Sequence, residues 1–127
     1  MDGVLIFHIA VRGGLAGSTG PLTVTFDQAL SAFESFDRLF IEPDGSFVWT
    51  GSLPDGTTWQ LDGNLIDRGD FLAYVELKGR CPQTQFDQII TALGWPGVRL
   101  AFELTRRGIV VEEAEFRQLA VTQAGAV

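Results

Sequence analysis

The feature that most constrains the fold is a run of alternating segments between residues 38 and 78, interrupted by short turn sequences. Pro-Asp-Gly occurs at 43–45 and again at 54–56, and Arg-Gly-Asp occurs at 68–70. Proline presets φ, and glycine accepts the positive φ that closes a tight turn. The pattern therefore predicts an antiparallel meander of four strands: 38–42, 46–50, 57–67 and 71–78.

Alternation within these segments predicts one buried face and one wet face. In the third segment, Trp59 and Leu61 alternate with polar side chains. In the fourth, alternation places Phe71, Ala73, Val75 and Leu77 inward, and Tyr74, Glu76 and Lys78 outward. The polar side chains of the third segment are expected on the same wet face: Thr58, Gln60, Asp62 and Asn64.

The segments around the meander complete the fold prediction. Residues 4–12 are apolar on both faces, which is typical of a central strand, and 21–26 are predicted to pair with them across a flexible glycine-rich connection at 13–20. Thr25 and Gln28 have the spacing of a capping box, which predicts a helix ending near Asp37. Further segments are predicted as a helix at 82–93, with Pro82 in its first position, a strand at 98–105, a brief extended piece at 109–111 and a helix at 112–120.

This order predicts an α+β fold. We expect a two-layer domain over residues 1–121, with a curved, mainly antiparallel sheet of about six strands. Two main helices and a short C-terminal helix are expected on one face, and residues 122–127 are predicted to form a flexible tail. The segment order is partly similar to TATA-binding-protein-like and helix-grip sheets, a likeness of topology that implies no function.

Charge and composition narrow the classes of partner. The formal net charge of −7 disfavours binding to nucleic acid and to anionic membrane surfaces. The N-terminal segment lacks the basic region of a secretory signal, and no apolar run approaches the roughly 20 residues that span a bilayer. A cytoplasmic location is therefore expected. Cys81 is the single cysteine, so no intrachain disulfide is possible.

Motifs for phosphate, dinucleotide and metal binding fail on their spacing. The glycine-rich stretch 13–20 lacks the lysine of a phosphate-binding loop and precedes a predicted strand. As a mobile segment, it could still act as a lid beside a site. The acidic run 62–73 lacks the glycine and the final glutamate of a calcium-binding loop. The two Pro-Asp-Gly units keep different distances to Trp49 and Trp59, so they are interpreted as turns. No metal or cofactor is predicted.

Most candidate site residues come from the wet face, which His8 shares if its side of residues 4–12 is the one turned to solvent. His8 is the only histidine, and histidine is the most frequent general base, so His8, Tyr74 and Glu76 are the candidate catalytic residues. Candidate binding residues are Gln60, Asp62, Asn64 and Trp95; Trp95 follows the second helix, where partial exposure is expected. Cys81 precedes a helix, a position that can activate a thiol, although a structural role is favoured because no partner residue is present.

Two functional hypotheses follow. The first is a small acidic protein, expected to be non-enzymatic, that acts through protein–protein contact or homodimerisation by way of its sheet edges. The alternative is a small-molecule-binding protein or acid–base enzyme with a pocket around His8, Tyr74 and Glu76, covered by residues 13–20.

Overall fold

One antiparallel sheet of eight strands forms the scaffold, and three helices complete an α+β domain. The computed structural model describes the backbone of residues 3–125 and the side chains of residues 3–121. In chain order the elements are β1 (Val4–Leu15), β2 (Ser18–Gly20), α1 (Phe26–Glu34), β3 (Leu39–Ile41), β4 (Ser46–Ser52), β5 (Thr58–Arg68), β6 (Phe71–Pro82), α2 (Gln83–Ala92), β7 (Leu100–Leu104), β8 (Ile109–Val111) and α3 (Glu113–Gly125).

The strand order is β3-β4-β5-β6-β1-β7-β8, and β2 pairs with the end of β1. The predicted meander is confirmed, because β3 to β6 are consecutive neighbours joined by the three predicted turns. β1 lies between β6 and β7, in the central position that its two apolar faces predict. The sheet has eight strands where about six were expected, because β1 folds back on β2 and the brief segment 109–111 pairs with β7.

The glycine-rich stretch 13–20 is ordered as a hairpin, and the prediction of a flexible connection was wrong. β1 continues through Leu15, and Gly13 to Leu15 pair with Gly20 to Ser18 of β2. The two strands approach so closely that a Cβ at Gly13 would overlap the carbonyl oxygen of Pro21. Glycine is therefore required by a tight strand pairing. The prediction of a strand at 21–26 was also wrong; two backbone bonds tie this segment to β6, Leu22 N–H to Leu72 O at 2.8 Å and Leu72 N–H to Val24 O at 3.4 Å.

A bulge in the β5–β6 pairing shifts the start of β6. The register changes between Ile66 and Asp67, which pair with Tyr74 and Leu72 respectively. Leu72 is consequently buried, and Phe71 is 51% exposed, the reverse of what strict alternation predicts for these two residues. Beyond the bulge, the predicted alternation is restored.

All three helices contribute to one core on one face of the sheet. The ring of Phe33 in α1 packs edge-on against Phe47 of β4, at 5.2 Å between centroids. Phe116 of α3 contacts three rings from β1, α2 and β7, at 5.1–5.4 Å between centroids: Phe7, Phe86 and Phe102. The opposite face carries the polar positions of β4, β5, β6 and β1, and we call it the open face.

The helix starts that were predicted from the sequence are observed, each to within one residue. The capping box is present: Thr25 Oγ1 accepts from the Gln28 N–H, and Gln28 Oε1 accepts from the Thr25 N–H. Pro82 occupies the N-cap of α2, one position before the predicted place. α3 extends to Gly125. Residues 126 and 127 lie outside the described residues, and a flexible tail at 122–127 stays a prediction.

Candidate functional site

His8 and Glu76 are neighbours on the open face. Strand pairing sets His8 opposite Lys78 and Ala10 opposite Glu76, so the imidazole and the carboxylate meet on a diagonal. His8 Nε2 lies 3.4 Å from Glu76 Oε2, and the two side chains are 24% and 42% exposed. This is a solvent-accessible contact at the long end of hydrogen bonding.

Tyr74 belongs to a different part of the open face. Its ring lies beneath the Arg12 guanidinium, 4.5 Å from carbon to ring centroid, and Arg12 Nε donates to Glu103 Oε1 at 2.9 Å. Tyr74 lines a small hollow with Arg12, Arg68 and Phe71, separate from the cleft at His8. The structure therefore pairs His8 with Glu76 but does not gather the three candidate catalytic residues around one cavity.

The candidate binding residues lie in two regions. Gln60, Asp62 and Asn64 share the open face of β5, where Gln60 Nε2 donates to Asp62 Oδ1 at 2.9 Å. Asn64 stands opposite Glu76 across the β5–β6 pairing. Trp95 is half-buried against the core beyond α2, so it lies in the helix layer and does not extend the open-face set. No group of three or more potential metal ligands occurs among residues 3–121.

A cleft of about 690 Å³ lies where β1 passes between α3 and the turn after β7. His8 lines it, whereas residues 13–20 do not, so the hairpin is not a lid over this cavity. The helix side of the cleft is apolar and includes Phe116, Leu119 and Ala120. Its volume lies within the range of about 300–1,000 Å³ that is typical of ligand sites.

Basic side chains are concentrated around the cleft, although the protein as a whole is acidic. Among the nine basic residues, Arg12, Arg99 and Arg117 form ion pairs within the described part of the chain. Of the six that do not, four line this cleft: Lys78, Arg80, Arg106 and Arg107. No carboxylate of the described residues lines the cleft, although the full sequence has 16 acidic residues. The charged side chains that line the cleft are therefore cationic, although the net charge of the protein is negative.

The cleft also exposes the edge of a central strand. β1 pairs with β6 from Val4 to Val11, but its pairing with β7 begins only at Ile9. The carbonyl of His8 accepts from the Thr105 N–H at 3.0 Å, on the side away from β6. Because backbone groups of a strand alternate in direction, the N–H and C=O of Ile6 point to that same side. No strand of residues 3–125 occupies it.

A second hollow, of about 740 Å³, lies between the second Pro-Asp-Gly turn and the start of α2. Trp49 and Trp59 line it, but they are only 2% and 6% exposed, so they offer little ring surface for stacking. The hollow mixes Arg38 with Asp37 and Asp55 and therefore has no dominant charge. The cleft at β1 has the more specific chemistry.

Cys81 is buried on the helix side of β6, which argues against the reactive-thiol interpretation. Burial, with a smaller contribution from Asp87, raises the pKa of Cys81 from 9.0 to about 12. The thiolate is the reactive form. We expect a thiol reagent at a pH near 9 to label the native protein slowly and the urea-unfolded protein rapidly. Equal rates in the two states would contradict this placement.

Comparison with family models, with curated proteins and with solved structures finds no match to this chain. Within residues 3–125, none of the helices has the length and apolar character needed to cross a membrane. The candidate site therefore rests on its own geometry. Sequence reasoning selected His8 and Lys78 as open-face residues, but it missed Arg80 and the Arg106-Arg107 pair, which only strand order brings beside them.

Proposed function

We propose that this protein binds an extended segment of a partner protein, which adds as a strand to the free edge of β1. The observation that carries the proposal is one edge of β1. Over Val4–Phe7 the strand pairs with β6 on one side, whereas its other side has no strand partner among the described residues and faces the cleft beside α3. Strand addition uses backbone groups of this kind for affinity and side-chain pockets for specificity. The function is one of contact, without a chemical step.

The dimensions of the free edge suit a short segment. Four residues at about 3.3 Å each give roughly 13 Å of strand edge. The occupant would continue the line of β7, whose pairing with β1 ends at Leu104, before the chain turns away at Thr105. The helix layer supplies one wall through Phe116 and Leu119. An incoming strand is thus offered both a hydrogen-bonding edge and an apolar surface.

The test removes the outward-pointing amide. Ile6→Pro deletes an N–H on the free side of β1 and leaves the hydrogen bonds to β6 in place, as proline at a sheet edge allows. A panel of short synthetic peptides that alternate valine with a polar residue serves as the probe, with binding measured by calorimetry. We expect at least about tenfold weaker binding to the variant, because one backbone partner is lost and the ring obstructs the approach.

A matched control is available on the outer strand β8. Val110 stands opposite Glu103, in a pair whose backbone groups point away from each other by the same alternation. Val110→Pro therefore removes another outward amide, and Val110 does not line the cleft. Binding should survive in this variant. If no peptide of the panel binds the unmodified protein, or if both proline variants bind equally, the proposal is wrong.

The small-molecule alternative is favoured by the apolar wall and by the volume of the same cleft. It predicts that a compact ligand binds there as tightly as an extended peptide. Homodimerisation, the other form of the contact hypothesis, predicts a mass that rises with concentration in light scattering. Among the described residues, Phe40 on the edge strand β3 is the most exposed large apolar side chain, at 68%, and is available for such a contact.

A further inference from the structure

We infer that the segment bound at β1 is amphipathic, with apolar residues alternating with acidic ones. This inference rests on the proposed strand addition and specifies the partner's chemistry. Successive side chains of a strand point to opposite faces of its sheet. A strand beside Val4–Phe7 would therefore direct alternate side chains toward the helix layer and toward the open face.

The helix-layer side of the cleft selects apolar side chains. Phe116 and Ala120 of α3 are buried, and Leu119 is half-buried beside them. Phe7 of β1 completes this wall and is in ring contact with Phe116 at 5.4 Å. A polar side chain placed here would lose its hydration without gaining a hydrogen bond, which costs free energy. Valine, leucine or isoleucine suits these positions.

The open-face side selects acidic side chains. Arg106 and Arg107 lie in the turn after β7, at the point where an added strand would meet that turn. Lys78 stands opposite His8 on the neighbouring strand, within the reach of a long side chain across β1. None of the three forms an ion pair within the described part of the chain, although Asp62 stands opposite Lys78 across the β5–β6 pairing. Carboxylates of a partner would supply the missing counter-charges.

Arg80 adds an independent indication that a group is missing. Its Nε is shielded from solvent and has no hydrogen-bond partner. Buried polar atoms are normally hydrogen-bonded, so each exception calls for a partner. Its charge contributes to lowering the pKa of Asp55, which is lowered mainly by hydrogen bonds with Thr57 and least by Arg80. Arg80 lines both the cleft and a hollow beside Thr58 and Gln60, and an anionic group in either cavity is the chemistry that would pair with its guanidinium.

The peptide panel tests this inference through its polar residue. Three probes alternate valine with glutamate, with serine or with lysine. We expect the glutamate peptide to bind about tenfold more tightly than the serine peptide, since two or three exposed ion pairs each contribute a few-fold. The lysine peptide should bind most weakly. Added salt should reduce the preference for glutamate, because exposed charges are screened.

Cleft variants identify the charges responsible. Arg106→Ala with Arg107→Ala should weaken binding of the glutamate peptide about fivefold and leave the serine peptide unchanged. Arg106→Lys with Arg107→Lys, which keeps the charge, should restore most of the affinity. Arg68→Ala, which removes an unpaired cation outside the cleft, is the control and should have no effect.

The outcomes separate this inference from the function on which it rests. If the serine and glutamate peptides bind equally and Ile6→Pro weakens both, strand addition stands and the acidic specificity is wrong. If the double alanine variant binds both peptides more weakly by the same factor, the two arginines do not cause a preference for acidic side chains, and the inference is likewise overturned. If neither peptide binds, both proposals fail.

Discussion

Phe116→Ala is expected to lower the free energy of unfolding by about 3–5 kcal/mol, the range for truncating a buried phenylalanine. Phe116 is fully buried, and its ring contacts Phe7, Phe86 and Phe102, so one side chain joins β1, α2 and β7 to α3. The space left by alanine would open into the cleft, because Phe116 lines its helix side. Urea denaturation followed by tryptophan fluorescence measures the loss.

Phe40→Ala is the matched control for this prediction. Phe40 is the same residue type, but it is 68% exposed on the outer strand β3. Surface substitutions of this kind usually change stability by less than about 0.5 kcal/mol. A loss below about 1 kcal/mol for Phe116→Ala, or equal losses for the two variants, would contradict the assignment of α3 to the core.

Gly79→Ala is expected to cost about 3 kcal/mol of unfolding free energy, because two penalties coincide at this glycine. Its φ is +133°, where side chains with a Cβ are strained, and a Cβ would overlap the carbonyl oxygen of Gln60. Gly79 pairs with Phe7 on one side and with Leu61 on the other, so relief of the overlap must displace the centre of the sheet. Urea denaturation again provides the measurement.

Gly56→Ala separates the two penalties. Gly56 also has a positive φ, +89°, but no atom lies near the position of its Cβ. Only backbone strain applies there, and we expect a loss of about 1 kcal/mol. Equal stability of the two alanine variants would contradict the conclusion that β5 and β6 approach too closely at Gly79 to leave room for a Cβ.

The local elements were predictable where one physical signal dominated. The two Pro-Asp-Gly turns set the meander, and the capping box at Thr25 set the start of α1. Prediction failed where the chain departs from simple alternation. The bulge beside Asp67 exchanges the environments of Phe71 and Leu72, and residues 13–20 have the composition of a loop yet pair as strands.

The candidate site was less predictable, because it depends on strand order. Alternation correctly placed Glu76 and Lys78 on one face, and the structure adds His8, whose side of the sheet the sequence left open. Nothing local indicates that β7 pairs with only part of β1, or that the turn carrying Arg106 ends beside His8. These facts follow from the topology of the whole sheet. Burial of Cys81 likewise results from packing by α2, although its position before a helix suggested activation.

Hydrogen exchange at the Ile6 amide, with and without the valine–glutamate peptide, tests the central claim most directly. In the free protein this amide points away from β6 into the cleft, and it should exchange quickly compared with the amide of Phe7, which pairs with Gly79. Peptide binding should slow exchange at Ile6 and leave the outer strand β8 unchanged. Binding without protection at Ile6 would contradict strand addition at the edge of β1.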